Sequence, residues 1–274
     1  MVVSALDFDR LGEIARQRRE SFERAQPFPH VAIDDFIPAE TADAVLAEIQ
    51  STTEGWDTYR HYNENKEAIT NLDDMPPRTR ALVEALNSAE FVRFVEQITG
   101  IDNLAADREL DGAGVHKTRA GGFLNLHTDF LCHTRHDDWS RQVNLLFYLN
   151  RDWQPAWNGD LELWNGEVSQ HVASIEPLFN RCVLFHTTNA SYHGHPSPLA
   201  CPPEVERISI ALYYFRRENV RQPLSATHYR ALPSDSQFRR ALVAIDRSAL
   251  RAYSFVRRHT PLRDGLVARI LKRL

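Results

Sequence analysis

The 274-residue chain has no apolar run approaching the roughly 18 residues that a membrane-spanning helix needs, which argues against a transmembrane segment. It has only three cysteines, Cys132, Cys182 and Cys201, and no C-x-x-C pair. An odd count without paired spacing does not make a disulfide framework, so buried or incidental thiols are expected. There is no internal repeat and no low-complexity tract. The N-terminus, MVVSALDFDRLGE, has acids where a secretory signal would need a basic segment followed by an apolar run. A cytoplasmic location is therefore expected, with no nucleic-acid partner.

What is present is ordinary in bulk and uneven in detail. Apolar residues make up 43% and charged residues 25%, as in a typical soluble globular protein. The length suits one large domain over 1–274. Net charge is −5, yet residues 239–274 hold ten Lys/Arg against two Asp, a local +8 that leaves −13 for the rest. Such a basic tail could meet an acidic membrane surface peripherally, or an acidic partner, or simply pack on the core with a solvated arginine face.

The pattern divides the chain in three. Residues 1–110 read as helical N-terminal support. An amphipathic helix is expected near 7–24 with Leu11, Ile14 and Ala15 on one face, a short strand at Val31 and Ile33, and a helix entered through Pro38. GWDTYRHYNENKEAIT reads as an aperiodic loop or lid. One long helix is expected from about Arg78 to Thr99, stopped by Gly100. Residues 111–216 then change character. Short β-rich runs (GFLNLHTDF, QVNLLFYLN, DLELWN, RCVLFHTT, RISIALYYF) are separated by Gly, Pro, Asn and Asp, the spacing of a barrel or sandwich. Residues 217–274 return to helix, as basic C-terminal helices. The fold class is mainly β with flanking helices.

The chemistry lies in the β-rich part. In NLHTDF, His127 and Asp129 are two residues apart and so face one side of a strand. An imidazole and a carboxylate suit a divalent metal, but two ligands hold it poorly. His193, in the turn-rich stretch after RCVLFHTT, is the best third candidate, with His186 and His195 competing for the role. Two histidines and one carboxylate on one face would form the facial triad of non-haem Fe(II) oxygenases, which leaves positions open. Arg207 opens the strand RISIALYYF, with Ser209 on the same face. A guanidinium forks onto a carboxylate, so an inward anion site is expected, although a rim salt bridge would leave the same sequence trace. CHTRHDDW offers Cys132, His133 and His136 in a spacing that matches no structural zinc pattern, and a loop beside the site is expected there.

The order H-x-D, distal His, R-x-S resembles the Fe(II)/2-oxoglutarate-dependent dioxygenases, in their prolyl-4-hydroxylase-like branch. RQVNLLFYLNRDW is similar to the YLN-x-x-W strand and turn of the hypoxia-sensing prolyl hydroxylases, and IEPLFNRCVLF and RISIALYYF resemble further segments of that group, over residues 112–216. The resemblance implies a double-stranded β-helix (jelly-roll) core. It implies Fe(II) on His127, Asp129 and His193. It places the distal carboxylate of 2-oxoglutarate on Arg207, assisted by Tyr148 and supported by Ser209. O2 is the further co-substrate, and ascorbate is an optional cofactor. Two departures stand out. Gly159-Asp160 replaces a Gly-Gly pair, and Lys117 or Thr118 stands about where the hypoxia-sensing enzymes have a tyrosine, which leaves Asn144 as a candidate inner contact. Because Asp129 keeps the acid that related halogenases replace, the resemblance implies hydroxylation rather than halogenation.

The expected activity is hydroxylation of an unactivated C–H bond of an amino-acid-like, peptidyl or other small-molecule substrate, with release of succinate and CO2. The competing expectations are a non-catalytic jelly-roll metal- or ligand-binding sensor, and a cupin-type metalloenzyme that does not use 2-oxoglutarate.

Overall fold

The computed structural model describes residues 6–222, 227–238 and 240. Four helices, α1 (Phe8–Arg24), α2 (Ala39–Ser51), α3 (Pro77–Leu86) and α4 (Ala89–Thr99), precede most of the sheet. The strands are β1 (His30–Ile33), β2 (Asp57–His61), β3 (Glu64–Ile69), β4 (Leu104–Ala106), β5 (Gly114–Thr118), β6 (Phe123–Thr128), β7 (Trp139–Tyr148), β8 (Leu161–Trp164), β9 (His171–Ile175), β10 (Arg181–His186), β11 (Tyr192–His195), β12 (Arg207–Arg217) and β13 (His228–Tyr229). They pair antiparallel in the order β1-β10-β7-β12-β5-β3-β6-β11-β8-β9, with β13 on β6, β2 on β3 and β4 on β12. This long ladder folds into the nearly closed jelly roll expected from the sequence.

Strand alternation separates two environments. On β12, Ile208, Ile210, Leu212 and Tyr214 face the core under the helices, whereas Arg207, Ser209, Ala211 and Tyr213 line a cavity. On β7, Val143, Leu145 and Phe147 face that core, and Asn144, Leu146 and Tyr148 the cavity. Phe36, Phe91 and Phe147 pack together, and the Tyr214 hydroxyl donates to the Leu86 carbonyl at 2.8 Å, fixing β12 to the end of α3.

Three expectations change. The single helix over 78–99 is two helices, because Ser88 acts as an N-cap, its hydroxyl accepting from the Phe91 N–H at 3.2 Å. A cap residue has extended backbone and so starts a new helix. The stretch read as a loop or lid is largely the hairpin β2–β3, whose β2 residues are all exposed. With no buried face there is no apolar alternation to read. Residues 1–110 also supply β1, β3 and β4 to the sheet and are not helical support alone. The helices expected beyond residue 240, with the membrane contact suggested for them, lie outside the described residues, while the described part of 217–240 contributes strand β13 where helix was expected. Among the described residues no helix is long and apolar enough to cross a membrane.

Candidate active site

The register of β6 against β11 sets His127 directly opposite His193. Opposed residues of an antiparallel pair hold their Cβ atoms about 4.5–5.5 Å apart, and the two imidazole centroids are 4.5 Å apart. Asp129 follows at the end of β6, on the side of His127. Its Oδ1 lies 3.5 Å from Nε2 of His127 and its Oδ2 lies 3.4 Å from Nε2 of His193. The three donor-type atoms lie within 4.8 Å of one another.

The protons are placed by the backbone. Nδ1 of His127 is 2.9 Å from the Asn125 carbonyl, and Nδ1 of His193 is 3.0 Å from the Ser191 carbonyl. A carbonyl only accepts, so each Nδ1 carries hydrogen and each Nε2 of a neutral ring is a lone pair. Burial, with His127 beside it, lowers the His193 pKa to about 4. Burial acts to raise the Asp129 carboxyl, but Arg141, His193 and His127 hold it well below the usual carboxylate range. With both rings neutral, two Nε2 lone pairs face the carboxylate that Arg141 helps to hold ionised. Such a set repels itself unless a cation sits among it, and its composition is that of the two-histidine, one-carboxylate triad. The residues present fit a divalent iron.

A residue outside the sequence reading supports Asp129. Arg141 is buried with its Nη2 3.2 Å from Asp129 Oδ2. Its Nε donates to Asn144 Oδ1 at 2.7 Å, while Asn144 Nδ2 donates to Asp129 Oδ2 at 2.6 Å and Thr187 donates to Asn144 Oδ1 at 3.0 Å. The guanidinium also lies 3.2 Å from the centroid of the Tyr213 ring. A register shift in β7 opposite Tyr214 and Phe215 lets residues 141 and 144, three apart, point to one side. The Asn144 amide is therefore engaged with the Asp129 carboxylate. The only advance signal for Arg141 was a charge opening the apolar strand RQVNLLFYLN.

Arg207 occupies the same cavity, of about 240 Å³. It is 5% exposed; its Nε donates to the Gly159 carbonyl at 2.7 Å and its Nη2 lies 3.5 Å from the Tyr148 hydroxyl. Among the described residues no carboxylate lies within ion-pair distance of it. Ser209 lines the cavity opposite Tyr148 on β7. Gly159 has φ +90°, and a Cβ there would sit 2.7 Å from Leu199 Cδ2 and 3.2 Å from Arg207 Cδ, so the turn before Asp160 has room only for glycine. Leu124, Leu146 and Leu161 supply apolar wall. Over the triad, Tyr229 of β13 pairs with His127, its ring centroid 5.5 Å away.

Other sequence candidates are sorted by their surroundings. His186 lines a separate surface cavity with Gln142 and Asn189. His195 shares the cavity of Arg207 but is not among the three converging donors. Lys117 turns away, its Nζ 3.3 Å from Glu67 and 3.9 Å from the Trp56 ring centroid, whereas Thr118 and His116 face inward. Glu109, His133 and His136 also gather. However, His133 Nδ1 accepts from the N–H groups of Arg135 and His136 at 3.1 and 3.2 Å, and its Nε2 faces Asp107 at 3.4 Å. That ring is committed on both sides to holding the loop after β6. Cys132 directs its thiol to backbone carbonyls.

Residues 113–215 match the family described as the 2OG-Fe(II) oxygenase superfamily. A search of curated protein sequences finds no match. Among solved structures, the fold is similar to a prolyl hydroxylase of Trichoplax adhaerens in complex with a hypoxia inducible factor oxygen degradation domain peptide fragment. The identity is 19%, the TM-score 0.55, and the match covers 76% of this chain and 91% of that one. It is also similar to a prolyl-4-hydroxylase of Pseudomonas putida, at 20% identity and TM-score 0.52, covering 74% of this chain and 100% of that one. The chain thus matches the 2OG-Fe(II) oxygenase superfamily over residues 113–215 and shares the jelly-roll fold of these prolyl hydroxylases.

Proposed function

We propose that the protein hydroxylates an unactivated C–H bond of a peptidyl, amino-acid-like or other small-molecule substrate, using Fe(II), 2-oxoglutarate and O2. The observation that carries this reading is the pairing, within one cavity, of a three-acceptor cluster with a buried guanidinium that has no carboxylate partner among the described residues. A buried arginine without an anion is costly, and a carboxylate ligand would remove that cost.

In this reading His127, Asp129 and His193 hold the iron. Arg207 holds the distal carboxylate of 2-oxoglutarate, with the Tyr148 and Ser209 hydroxyls beside it. Iron with 2-oxoglutarate and O2 supplies the oxidising power, and the co-substrate leaves as succinate and CO2. The protein does the positioning. Arg141 and Asn144 keep Asp129 ionised and fixed in orientation. The Nδ1 bonds to Asn125 and Ser191 fix both imidazoles. Phe130, Tyr213 and Tyr229 limit water around the metal. The substrate would enter past Tyr59, Glu64 and Lys66, which line the cavity from β2 and β3. The peptide bound by the Trichoplax protein supports a peptidyl substrate as the first class to try.

The test is succinate formation from 2-oxoglutarate, measured with and without Fe(II) under air, with peptide and free amino-acid panels. Turnover that requires both iron and 2-oxoglutarate supports the reading. Absence even of slow substrate-free turnover would instead favour a binding protein that kept the scaffold.

A further inference from the structure

Two imidazoles in the cavity have no assigned work. His116 on β5 and His195 on β11 both line it with Arg207. His195 is 6% exposed, and its Nδ1 is buried without a hydrogen-bond partner; Nε2 of His116 is buried and equally unpartnered. Buried polar groups in folded proteins are almost always paired, and an unpaired one costs free energy until a partner arrives. Two such rings in one cavity are a pattern that packing alone does not call for.

Their place in the sheet says what they would meet. Ser209 of β12 stands opposite Tyr148 on β7 and opposite His116 on β5, so these three side chains form one row across adjacent strands. Arg207 stands opposite Thr118 in the next inward-facing row of β12. His116 therefore extends the polar row that borders Arg207, in a stretch where Lys117 turns outward to Glu67. His195 comes from β11, two residues after His193, and joins the same cavity from another strand. Leu124, Leu146 and Leu161 line the cavity too, so it offers apolar wall for methylenes and polar groups for carboxylates.

We infer that His116 and His195 are further 2-oxoglutarate-binding residues, their ring N–H groups donating to co-substrate oxygens that Arg207, Tyr148 and Ser209 leave unmatched. This rests on the co-substrate reading above. A neutral imidazole donates from one nitrogen, and rotation about its second side-chain torsion redirects that donor at little cost. A dicarboxylate taken out of water needs several donors, and Arg207 with two hydroxyls is a small set for it. The histidines complete the set without adding permanent charge.

The experiment uses the full chain loaded with Mn(II), which blocks turnover, and titrates 2-oxoglutarate by calorimetry. Wild type is compared with His116→Leu, His116→Gln, His195→Leu and His195→Gln, and Mn(II) affinity is measured for each. The inference expects each leucine variant to lose about tenfold or more in 2-oxoglutarate affinity. Mn(II) affinity should stay within about twofold, and each glutamine variant, which keeps a donor, should recover most of the loss. Leucine variants that bind 2-oxoglutarate like wild type would overturn it, as would an equal loss of Mn(II) affinity, the mark of a disturbed fold. A wild type that binds Mn(II) but not 2-oxoglutarate would overturn the co-substrate reading itself, a distinguishable result.

Discussion

Arg141 and Asp129 are joined twice, directly at 3.2 Å between Nη2 and Oδ2 and again through the Asn144 amide. The buried guanidinium and the Asn144 amide meet Oδ2, which also lies 3.4 Å from Nε2 of His193, while Oδ1 lies 3.5 Å from Nε2 of His127. The carboxylate thus has a fixed orientation and an ionised state before any metal arrives.

Replacing Arg141 with Met should weaken Mn(II) binding by about 10–100-fold, the usual cost of losing a group that orients a metal ligand. Calorimetric Mn(II) titration checks it. Added metal should restore part of the thermal stability lost, because the bound cation replaces the missing counter-charge of Asp129.

His127→Ala or Asp129→Ala should abolish iron-dependent succinate formation while far-UV circular dichroism stays close to wild type. On the proposed assignment, removing one of three ligands leaves a pair that holds the metal poorly. Full activity in either variant would dismiss the triad.

Arg207→Ala should raise the 2-oxoglutarate Kd by at least about thirtyfold, the equivalent of about 2 kcal/mol, with Mn(II) affinity unchanged. An enzyme that did not use 2-oxoglutarate would keep its activity in this variant.

Gly159→Ala should destabilise the protein by about 1–3 kcal/mol in urea unfolding, since it combines a positive φ with close approach to Leu199 and Arg207. Because Arg207 Cδ is crowded at 3.2 Å, alongside the closer Leu199 and Trp153, 2-oxoglutarate affinity should fall as well.

The His133–Asp107 pair predicts a pH dependence of stability. Burial acts to lower the His133 pKa, but Asp107 overrides it and the net shift is upward from 6.5; Asp107 is shifted below 3.8 despite its burial. The histidine's contribution is full below 6.5 and is lost as pH rises through the elevated value. The aspartate's is present above 3.8 and is lost as pH falls below it. His133→Gln should therefore destabilise more at about pH 5.5 than at about pH 8.5, as read by thermal unfolding. An equal effect at both values would show that the ring stays neutral, its Nδ1 keeping the N–H bonds from Arg135 and His136 that protonation would break.

Local pattern carried much of the site. The two-residue strand period is a property of the backbone, so His127 with Asp129, and Arg207 with Ser209, could be placed on common faces from spacing alone. The apolar runs likewise marked β7, β10 and β12, because both sides of those strands are largely buried. The exposed hairpin β2–β3 left no such trace, and Ser88 broke a helix that periodicity alone continued.

Sequence by itself determined the donor types, the β-rich core and the face on which each pair stands. Tertiary structure decided which strands meet and in what register. Cross-strand register set His193, and not His186, opposite His127 and put His195 into the cavity that Arg207 lines. A local shift in β7 brought Arg141 to Asp129, and the pairing of β5 with β12 turned His116 inward and Lys117 outward. Each of these depends on hydrogen bonds between segments far apart in the chain, and a one-residue change of register reverses every face, so no local pattern can report them.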